Sequence, residues 1–347
     1  MSVKNWENYI HNKFNFYIQQ GGLTRVDSEF PWTIVAPPMT SQRDWEVVQT
    51  EVEHLYEARC LLNDELSQLL YDEAVILRLV SHNRFFYPRI SFDQLADLLE
   101  RELFSESGYP DNYLGLPLEK NRLILEPGSH NTMLYVITPA GFIDFLNMWR
   151  QYLISRGSFE FRPRVGGVVF DCGACIGDIS VIFAGLVGPK GQVHAFDPIP
   201  LHIKFCALQS KLNPTLSKAL IFNQMAVGKE VQKVNTGARS DSDAIAPGGL
   251  PIDNFNMTSL DGYVSSHNLD QVDFIKMDIE GAERQALLGA ENVIREFKPK
   301  LAISTYHHPD DFWSLPLQIK KINPSYKFAF GHHSPVSWES VIYAYEP

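Results

Sequence analysis

The sequence predicts an α/β protein with a mainly parallel central sheet and a final antiparallel hairpin, preceded by a mostly helical N-terminal region. Candidate strands and helices alternate from residue 168 onward, and this alternation is typical of parallel strands joined by right-handed crossovers. The last two candidate strands are separated only by a short turn that contains Ser-Pro. So short a link permits an antiparallel hairpin and excludes a parallel crossover.

The elements of the second half are predicted from apolar runs bounded by Gly, Pro and polar residues. The predicted strands cover residues 168–171, 192–197, 220–227, 272–278 and 301–306, followed by the hairpin strands 327–332 and 340–346. The predicted helices cover residues 177–187, 199–212, 281–297 and 311–322.

The first half has a different pattern. Apolar spacing predicts helices from about residue 44, over 63–82, from Ser91 and over 141–156, with short strands over 122–126 and 132–138. Arg outnumbers Lys by 12 to 3 up to residue 164, and Lys outnumbers Arg by 12 to 3 after it. We therefore predict a mostly helical domain over 1–160, which covers the acceptor or mediates oligomerisation, and a second, cofactor-binding domain over 161–347.

The composition excludes several classes of protein. The 347 residues carry 30 basic and 41 acidic side chains, a net charge of −11, which disfavours a nucleic-acid partner and an anionic membrane surface. The polar start and the absence of a long apolar run predict a soluble cytoplasmic protein with no membrane insertion. Four cysteines are too few for a disulfide framework at this length.

The strongest local feature is Val168-Val-Phe-Asp-Cys-Gly-Ala-Cys-Ile-Gly-Asp178. A buried strand ends at Asp171, Gly173 allows a ligand to approach the backbone, and a helix N-terminus with unpaired N–H groups begins at Gly177. Asp197 ends the next strand, where a carboxylate can accept hydrogen bonds from ribose hydroxyls. Together these four residues predict a site for a cofactor that contains adenosine.

The acidic residue that opens this loop favours S-adenosylmethionine, which carries an amino group and a sulfonium, over a dinucleotide pyrophosphate. An NAD-dependent oxidoreductase is one alternative, and a non-catalytic scaffold with a vestigial cofactor fold is another. A third is a redox protein that uses Cys172 and Cys175 as a CxxC site, which requires a depressed pKa for the Cys172 thiol.

A second motif, Phe274-Ile-Lys-Met-Asp-Ile-Glu-Gly-Ala-Glu283, follows the fourth strand, and Ser304-Thr-Tyr-His-His308 follows the fifth. Ligands bind beyond the carboxyl ends of such strands, so Asp278, Glu280 and His307 or His308 become candidate site residues. Glu283 suits either a catalytic role or the dipole of the next helix. Asp278, Glu280 and His307 could supply three metal ligands, but no dense ligand motif accompanies them, and we predict no metal. The pair His332-His333 is predicted to be an ordinary turn.

Three segments taken together resemble the FkbM family of S-adenosylmethionine-dependent methyltransferases. They are Phe170 to Asp178, Phe274 to Glu283 and Lys298 to His307, and the resemblance spans roughly residues 165–310. It implies a Rossmann-like class I methyltransferase sheet. It further implies cofactor contacts from the residues at the matching positions, namely Asp171, Gly173, Cys175, Gly177, Asp197, Asn223 and Asp278. Cys175 stands where many members have Asn, and Ser259 to Asp261 fall where polar residues recur.

The same resemblance implies that Asp278, Glu280 and His307 line the acceptor side, with His307 as a candidate general base. The implied reaction is O-methylation of a hydroxyl on a sugar, a glycan, or a polyketide or peptide natural product. The expected partners are a small-molecule or glycan acceptor and a second copy of the chain in a homodimer, with no nucleic acid.

Overall fold

A computed structural model describes residues 1–19, 42–80, 100–103, 105–109, 112–113, 116–125, 132–139, 151–156, 159–234, 254–333 and 339–347. The helices are α1 (Val3–Gln19), α2 (Gln42–Leu61), α3 (Glu65–Val80), α4 (Asp178–Val187), α5 (Pro200–Leu212), α6 (Leu260–His267), α7 (Glu283–Leu288), α8 (Glu291–Phe297) and α9 (Asp311–Ile322). The strands are β1 (Glu100–Leu103), β2 (Asn112–Tyr113), β3 (Leu116–Leu125), β4 (Thr132–Pro139), β5 (Ile154–Arg156), β6 (Phe159–Phe161), β7 (Val168–Cys172), β8 (Gln192–Phe196), β9 (Leu220–Asn223), β10 (Ala226–Val227), β11 (Gln232–Val234), β12 (Phe255–Thr258), β13 (Phe274–Met277), β14 (Lys300–Ser304), β15 (Lys327–His332) and β16 (Ser340–Tyr345).

Five parallel strands form the centre of the fold, in the order β14-β13-β7-β8-β9. β7 is the first of these strands in sequence and lies in the middle of the sheet. The strands β8 and β9 follow on one side of it, and β13 and β14 lie on the other side. The strand order therefore reverses between β7 and β13, which is where open α/β sheets bind their ligands. This sheet, with the antiparallel pair β15 and β16 at the end of the chain, confirms the predicted fold class.

The central strands form because their residues can be buried on both faces of the sheet. All four residues of β13 are buried, and only the first residue of β7 is partly exposed. Helix α4 covers one face with a nearly continuous apolar surface, in which Phe183 packs against Phe274 at a ring distance of 5.4 Å. Such apolar runs are typical of parallel strands covered by helices.

Strands β1 to β4 form a separate antiparallel sheet, and two side-chain amides of α5 hold its strand β4. Gln209 accepts from the Ile137 N–H at 2.9 Å and donates to the Ile137 carbonyl at 2.8 Å. One helical turn later, Asn213 makes the same pair of contacts with Tyr135, at 2.9 and 2.7 Å. The two amides thus replace a neighbouring strand for residues two positions apart on β4.

The chain divides into two compact units, residues 1–89 with 304–347 and residues 90–303. In the first unit, α3 carries Tyr71, whose ring packs against Phe330 of β15 with the centroids 5.3 Å apart. A buried carboxylate, Asp72, accepts from the Trp6 indole N–H at 2.7 Å and from Nε and Nη2 of Arg59. The predicted domain boundary near residue 160 is a different division of the chain and stays a prediction.

Most predicted elements of the second half lie within two residues of the observed ones. The predicted helix 281–297 is two helices, because Gly289 separates α7 from α8 and lies against the backbone of Gly228. The predicted strand 220–227 ends early at Asn223, and Ala226–Val227 pairs with β12 in a second sheet. The helix predicted from Ser91 lies outside the described residues, as does most of the one over 141–156. The described end of the latter is wrong, because Ile154–Arg156 is strand β5, paired with β6. In the part of the chain that the structure covers, no helix has the length and apolarity that crossing a membrane requires.

Candidate active site

The loop after β7 passes so close to the end of β13 that Gly173 has no room for a side chain. Its φ of 83° lies in the left-handed region, and a Cβ atom at this position would be 1.8 Å from the carbonyl oxygen of Asp278. The Gly173 N–H donates to the Phe196 carbonyl at 2.9 Å. The carboxyl ends of β7, β8 and β13 therefore converge on this one glycine.

Asp171 lies beneath the loop and is fully buried. Its Oδ2 accepts from the Ser180 hydroxyl at 2.5 Å, and its Oδ1 is 3.1 Å from the ammonium group of Lys276. Lys276 also donates to the Gly173 carbonyl at 2.6 Å. Although burial opposes the charged form of Lys276, the Asp171 and Asp278 carboxylates raise its pKa. The sequence predicts that Asp171 meets a cationic ligand; the structure gives it a protein cation, and its part in cofactor binding stays a prediction.

Asp197 follows β8 and lies beside the same loop. Its Oδ2 accepts from the Cys175 N–H at 2.9 Å, and Cys175 itself adopts a φ of 48°. Its Oδ1 accepts from the Ile199 N–H and from Nδ1 of His202, both at 2.9 Å. The carboxylate is therefore fixed in orientation by the loop on one side and by α5 on the other.

A tyrosine from β2 completes this arrangement. The Tyr113 hydroxyl is 2.8 Å from Nε2 of His202 and 3.4 Å from Sγ of Cys175. Tyr113 and His202 are both buried. Neither residue was predicted from the sequence. The signal for His202 is its position one turn into the helix that follows Asp197, whereas Tyr113 carries no local signal.

Helix α4 begins next to the loop with Gly177 and Asp178. Gly177 has a φ of 81°, and a Cβ atom on it would be 2.9 Å from Sγ of Cys206. Asp178 is the first residue of the helix, and its Oδ1 accepts from the Ile179 N–H at 2.9 Å. Burial, with a smaller contribution from the Asp171 carboxylate, raises the pKa of Asp178 from 3.8 to about 6.

The surroundings of Cys172 and Cys175 disfavour a reactive thiol. Cys172 and Cys175 are both free thiols in the structure. Burial raises the pKa of each thiol, and the carboxylates of Asp171 and Asp197 respectively add to the effect. A reactive CxxC site requires the opposite shift, so this alternative for the motif is not supported.

Asn223, Ser259 and Asp261 make structural contacts within the chain. Asn223 donates to the Ala195 carbonyl at 3.2 Å and accepts from the Tyr263 hydroxyl at 3.1 Å. The Ser259 hydroxyl accepts from the Gly262 N–H at the start of α6. Asp261 accepts from the backbone N–H groups of Asn292 and Val293 at the start of α8. A cofactor contact by Asn223 stays a prediction.

The loop after β13 presents Asp278 and Glu280. Tyr152 donates its hydroxyl to Oδ2 of Asp278 at 2.7 Å, and the Lys276 ammonium lies 5.2 Å from the centre of the Tyr152 ring. Glu280 is exposed and has a φ of 56°, a left-handed conformation that costs a non-glycine residue roughly 1–2 kcal/mol. The buried Glu283 accepts from the Ile279 N–H at 2.8 Å and so braces this loop.

His307 belongs to the other compact unit, three residues beyond the end of β14. It is partly buried, and its ring centre is 4.3 Å from that of Tyr306. The neighbouring His308 has an exposed side chain, while its backbone N–H donates to Asp311 at 2.6 Å at the start of α9. The catalytic assignments of His307, Asp278 and Glu280 stay predictions. In the C-terminal hairpin, His332 contacts the Ser340 hydroxyl at 2.8 Å and His333 the Tyr343 hydroxyl at 2.6 Å.

Within residues 90–303, the structure thus brings together the predicted Asp171, Gly173, Cys175, Gly177, Asp197 and Asp278. It adds four residues that the sequence did not single out, Tyr113, Tyr152, His202 and Lys276. Lys276 stands inside the quoted acidic motif, so its position there was the available signal. Tyr152 precedes the motif by more than 120 residues and could not be linked to it by pattern.

Solved structures resemble this chain in fold. It is similar to the methyltransferase FkbM from Methylobacillus flagellatus KT, with a TM-score of 0.55 and 20% identity over 87% of this chain and 61% of that one. The chain therefore spans less than two thirds of that protein's length. More distant similarities include Aeropyrum pernix fibrillarin in complex with natively bound S-adenosyl-L-methionine (TM-score 0.35, 12% identity, 70% of this chain and 99% of that one) and a methyltransferase from Geobacter sulfurreducens (TM-score 0.34, 11% identity, 59% and 76%).

A comparison with curated proteins finds no match. The family model of the methyltransferase FkbM domain matches residues 171–330, a range that begins at Asp171 and contains the loop after β7, Asp197 and the acidic motif after β13. The match over residues 171–330 confirms the resemblance to the FkbM methyltransferase family that the sequence predicts.

Proposed function

We propose that the chain transfers a methyl group from S-adenosylmethionine to a hydroxyl oxygen of a sugar, a glycan, or a polyketide or peptide natural product. The observation that supports this most directly is the convergence of Gly173, Asp197 and Asp278 at the point where the strand order reverses. A cofactor with a ribose and a charged amino-acid end suits a site that combines a glycine backbone with carboxylates.

The residues present fit this cofactor. Gly173 lets the loop pass directly against the end of β13, because the Asp278 carbonyl takes the space that a Cβ atom would fill. Asp197 is held with its carboxylate beside the loop and can accept from a ribose hydroxyl. When bound, S-adenosylmethionine supplies a methyl group activated by its sulfonium.

The rest of the catalysis belongs to the residues of the chain. Alignment of the attacking oxygen with the methyl group can contribute about 7–11 kcal/mol to lowering the barrier. Asp278, oriented by Tyr152, and Glu280 bind and orient hydroxyls of the acceptor. His307 takes the proton of the reacting hydroxyl, a role worth about 10²–10⁴-fold in rate.

Calorimetry with the full chain tests the cofactor assignment. We expect S-adenosylhomocysteine to bind and NAD not to bind. Asp197→Ala weakens this binding, whereas the matched variant Asp270→Ala, which removes an exposed carboxylate, does not. Binding of NAD without binding of S-adenosylhomocysteine would favour the oxidoreductase instead, and binding of neither would favour a non-catalytic scaffold.

A screen with radiolabelled cofactor tests the acceptor class. Hydroxylated glycans, polyketides and peptides are compared with the corresponding amines, and the products are analysed for the atom that carries the label. Label on oxygen supports the proposal, and label found only on nitrogen contradicts it.

A further inference from the structure

The carboxylate of Asp197 is part of a closed ring of hydrogen bonds. Starting from Oδ1, the ring runs through His202 and the Tyr113 hydroxyl to the Cys175 thiol, with distances of 2.9, 2.8 and 3.4 Å. The backbone N–H of Cys175 then returns to Oδ2 of Asp197 at 2.9 Å. Three elements far apart in sequence, β2, the loop after β7 and α5, meet in this ring.

The direction of each hydrogen bond follows from the groups involved. A carboxylate only accepts, so Nδ1 of His202 carries the hydrogen shared with Asp197. In the neutral ring Nε2 then accepts, and the donor is the Tyr113 hydroxyl. The oxygen of Tyr113 is left to accept from the Cys175 thiol. Burial raises the pKa of both Tyr113 and Cys175, so each keeps the hydrogen that it donates.

The ring determines how much of the Asp197 carboxylate remains for a ligand. Its two oxygens offer about four acceptor positions. Oδ1 uses both of its positions, for Ile199 and His202, and Oδ2 uses one, for Cys175. Within the described residues, one position on Oδ2 is therefore left over.

We propose that Tyr113 and His202 are positioning residues that restrict Asp197 to a single ribose hydroxyl of the cofactor. The sequence alone suggested a carboxylate that accepts from both hydroxyls. This inference rests on the proposed function, because it concerns the ribose of S-adenosylmethionine. It adds that Asp197 recognises one hydroxyl and that β2, outside the methyltransferase domain match, controls which part of the carboxylate is offered.

The first test compares S-adenosylhomocysteine with its 2′-deoxy and 3′-deoxy analogues by calorimetry, on the wild type and on Asp197→Ala. We expect Asp197→Ala to raise the Kd of S-adenosylhomocysteine. The factor by which it raises the Kd should be smaller by about tenfold or more for one of the two analogues and unchanged for the other. The comparison is unaffected by other residues that contact the ribose, since their contribution is the same with and without Asp197. If this factor is smaller for both analogues, or for neither, the assignment of Asp197 to a single hydroxyl is wrong.

The second test uses Tyr113→Phe, which keeps the ring and its packing and removes only the hydroxyl. We expect it to weaken S-adenosylhomocysteine by about threefold or more, and not to weaken the analogue that lacks the recognised hydroxyl. In steady-state assays the KM for S-adenosylmethionine rises while kcat is retained. Equal weakening of all three ligands indicates a merely structural role and contradicts the proposal.

Tyr71→Phe is the matched control, because it removes an equally buried hydroxyl that donates to the Leu55 carbonyl in the other compact unit. It is expected to leave all three affinities unchanged. Failure of the wild type to bind S-adenosylhomocysteine at all counts against the proposed function itself, so the two failures are distinguishable.

Discussion

The ammonium group of Lys276 lies 3.1 Å from Oδ1 of Asp171, and both side chains are buried. The pair joins β13 to β7 on the two sides of the point where the strand order reverses. Lys276 also holds the Gly173 carbonyl, so a buried charge supports the loop from below. The conformation of the loop after β7 therefore depends on a buried ion pair within the chain.

Lys276→Met is expected to be strongly destabilising, because it leaves the Asp171 carboxylate buried without its cation. Removing one member of a buried pair costs about 3–5 kcal/mol of unfolding free energy. Chemical denaturation monitored by circular dichroism measures the loss. The double variant Lys276→Met/Asp171→Asn removes the stranded charge and is expected to recover most of the stability. A double variant no more stable than the single one would contradict this explanation.

Gly173→Ala is expected to abolish binding of S-adenosylhomocysteine, because the added Cβ atom would overlap the Asp278 carbonyl and displace the loop. Gly166→Ala is the matched control. Gly166 also has a positive φ, 75°, but its Cβ position has no atom within 4 Å, so only the conformational cost of about 1–2 kcal/mol applies. Calorimetry and thermal unfolding of both variants separate the steric effect from the backbone effect. Equal losses in both variants would show that the close approach is unimportant.

Asp178→Asn is expected to change how stability depends on pH. The pKa of Asp178 is raised from 3.8 to about 6 in the folded chain, so folding disfavours its charged form. The favourable contribution of Asp178 to the free energy of unfolding is complete below pH 3.8 and is lost as pH rises through about 6. The variant is therefore expected to have a higher melting temperature than the wild type at pH 7.5 and the same melting temperature near pH 4. Asp270→Asn, at an exposed carboxylate, serves as control; a gain of the same size at both pH values would refute the assignment.

His307→Ala is expected to lower kcat by about 10²–10⁴-fold with cofactor and acceptor both saturating, as loss of a general base does. His308→Ala changes the adjacent exposed ring and is expected to retain kcat. The comparison requires an acceptor from the labelled screen. Full turnover by His307→Ala under these conditions would remove the base assignment.

The sequence was sufficient to predict the strands and the helix that flank the loop after β7. Buried strands such as β7 and β13 are continuous apolar runs, and the glycines and carboxylates that follow them mark the ends of the strands. Helix ends were less accurate where a glycine has a tertiary role. Gly289 separates α7 from α8 within the predicted helix 281–297, and a Cβ atom on it would meet the Gly228 carbonyl oxygen at 2.2 Å, a contact that periodicity cannot reveal.

The partners of the site residues could not be predicted in the same way. Tyr113 and His202 are 89 positions apart, and local propensity contains no information on which remote segments meet. The protein cation of Asp171 was missed for another reason. In the sequence Lys276 is one position of a motif, and no local pattern indicates that its side chain points under the loop to a carboxylate of the neighbouring strand.

The amide contacts between α5 and β4 have a consequence for engineering a minimal enzyme. A fragment that begins at residue 160 would lose β4 and leave the side-chain amides of Gln209 and Asn213 without their partners on that strand. It would also uncover the apolar surface of Ile176, Phe205 and Leu208, against which Tyr113, Leu118 and Ile137 pack. Such a fragment needs these surfaces redesigned as polar ones, so a shortened chain should keep β1 to β4.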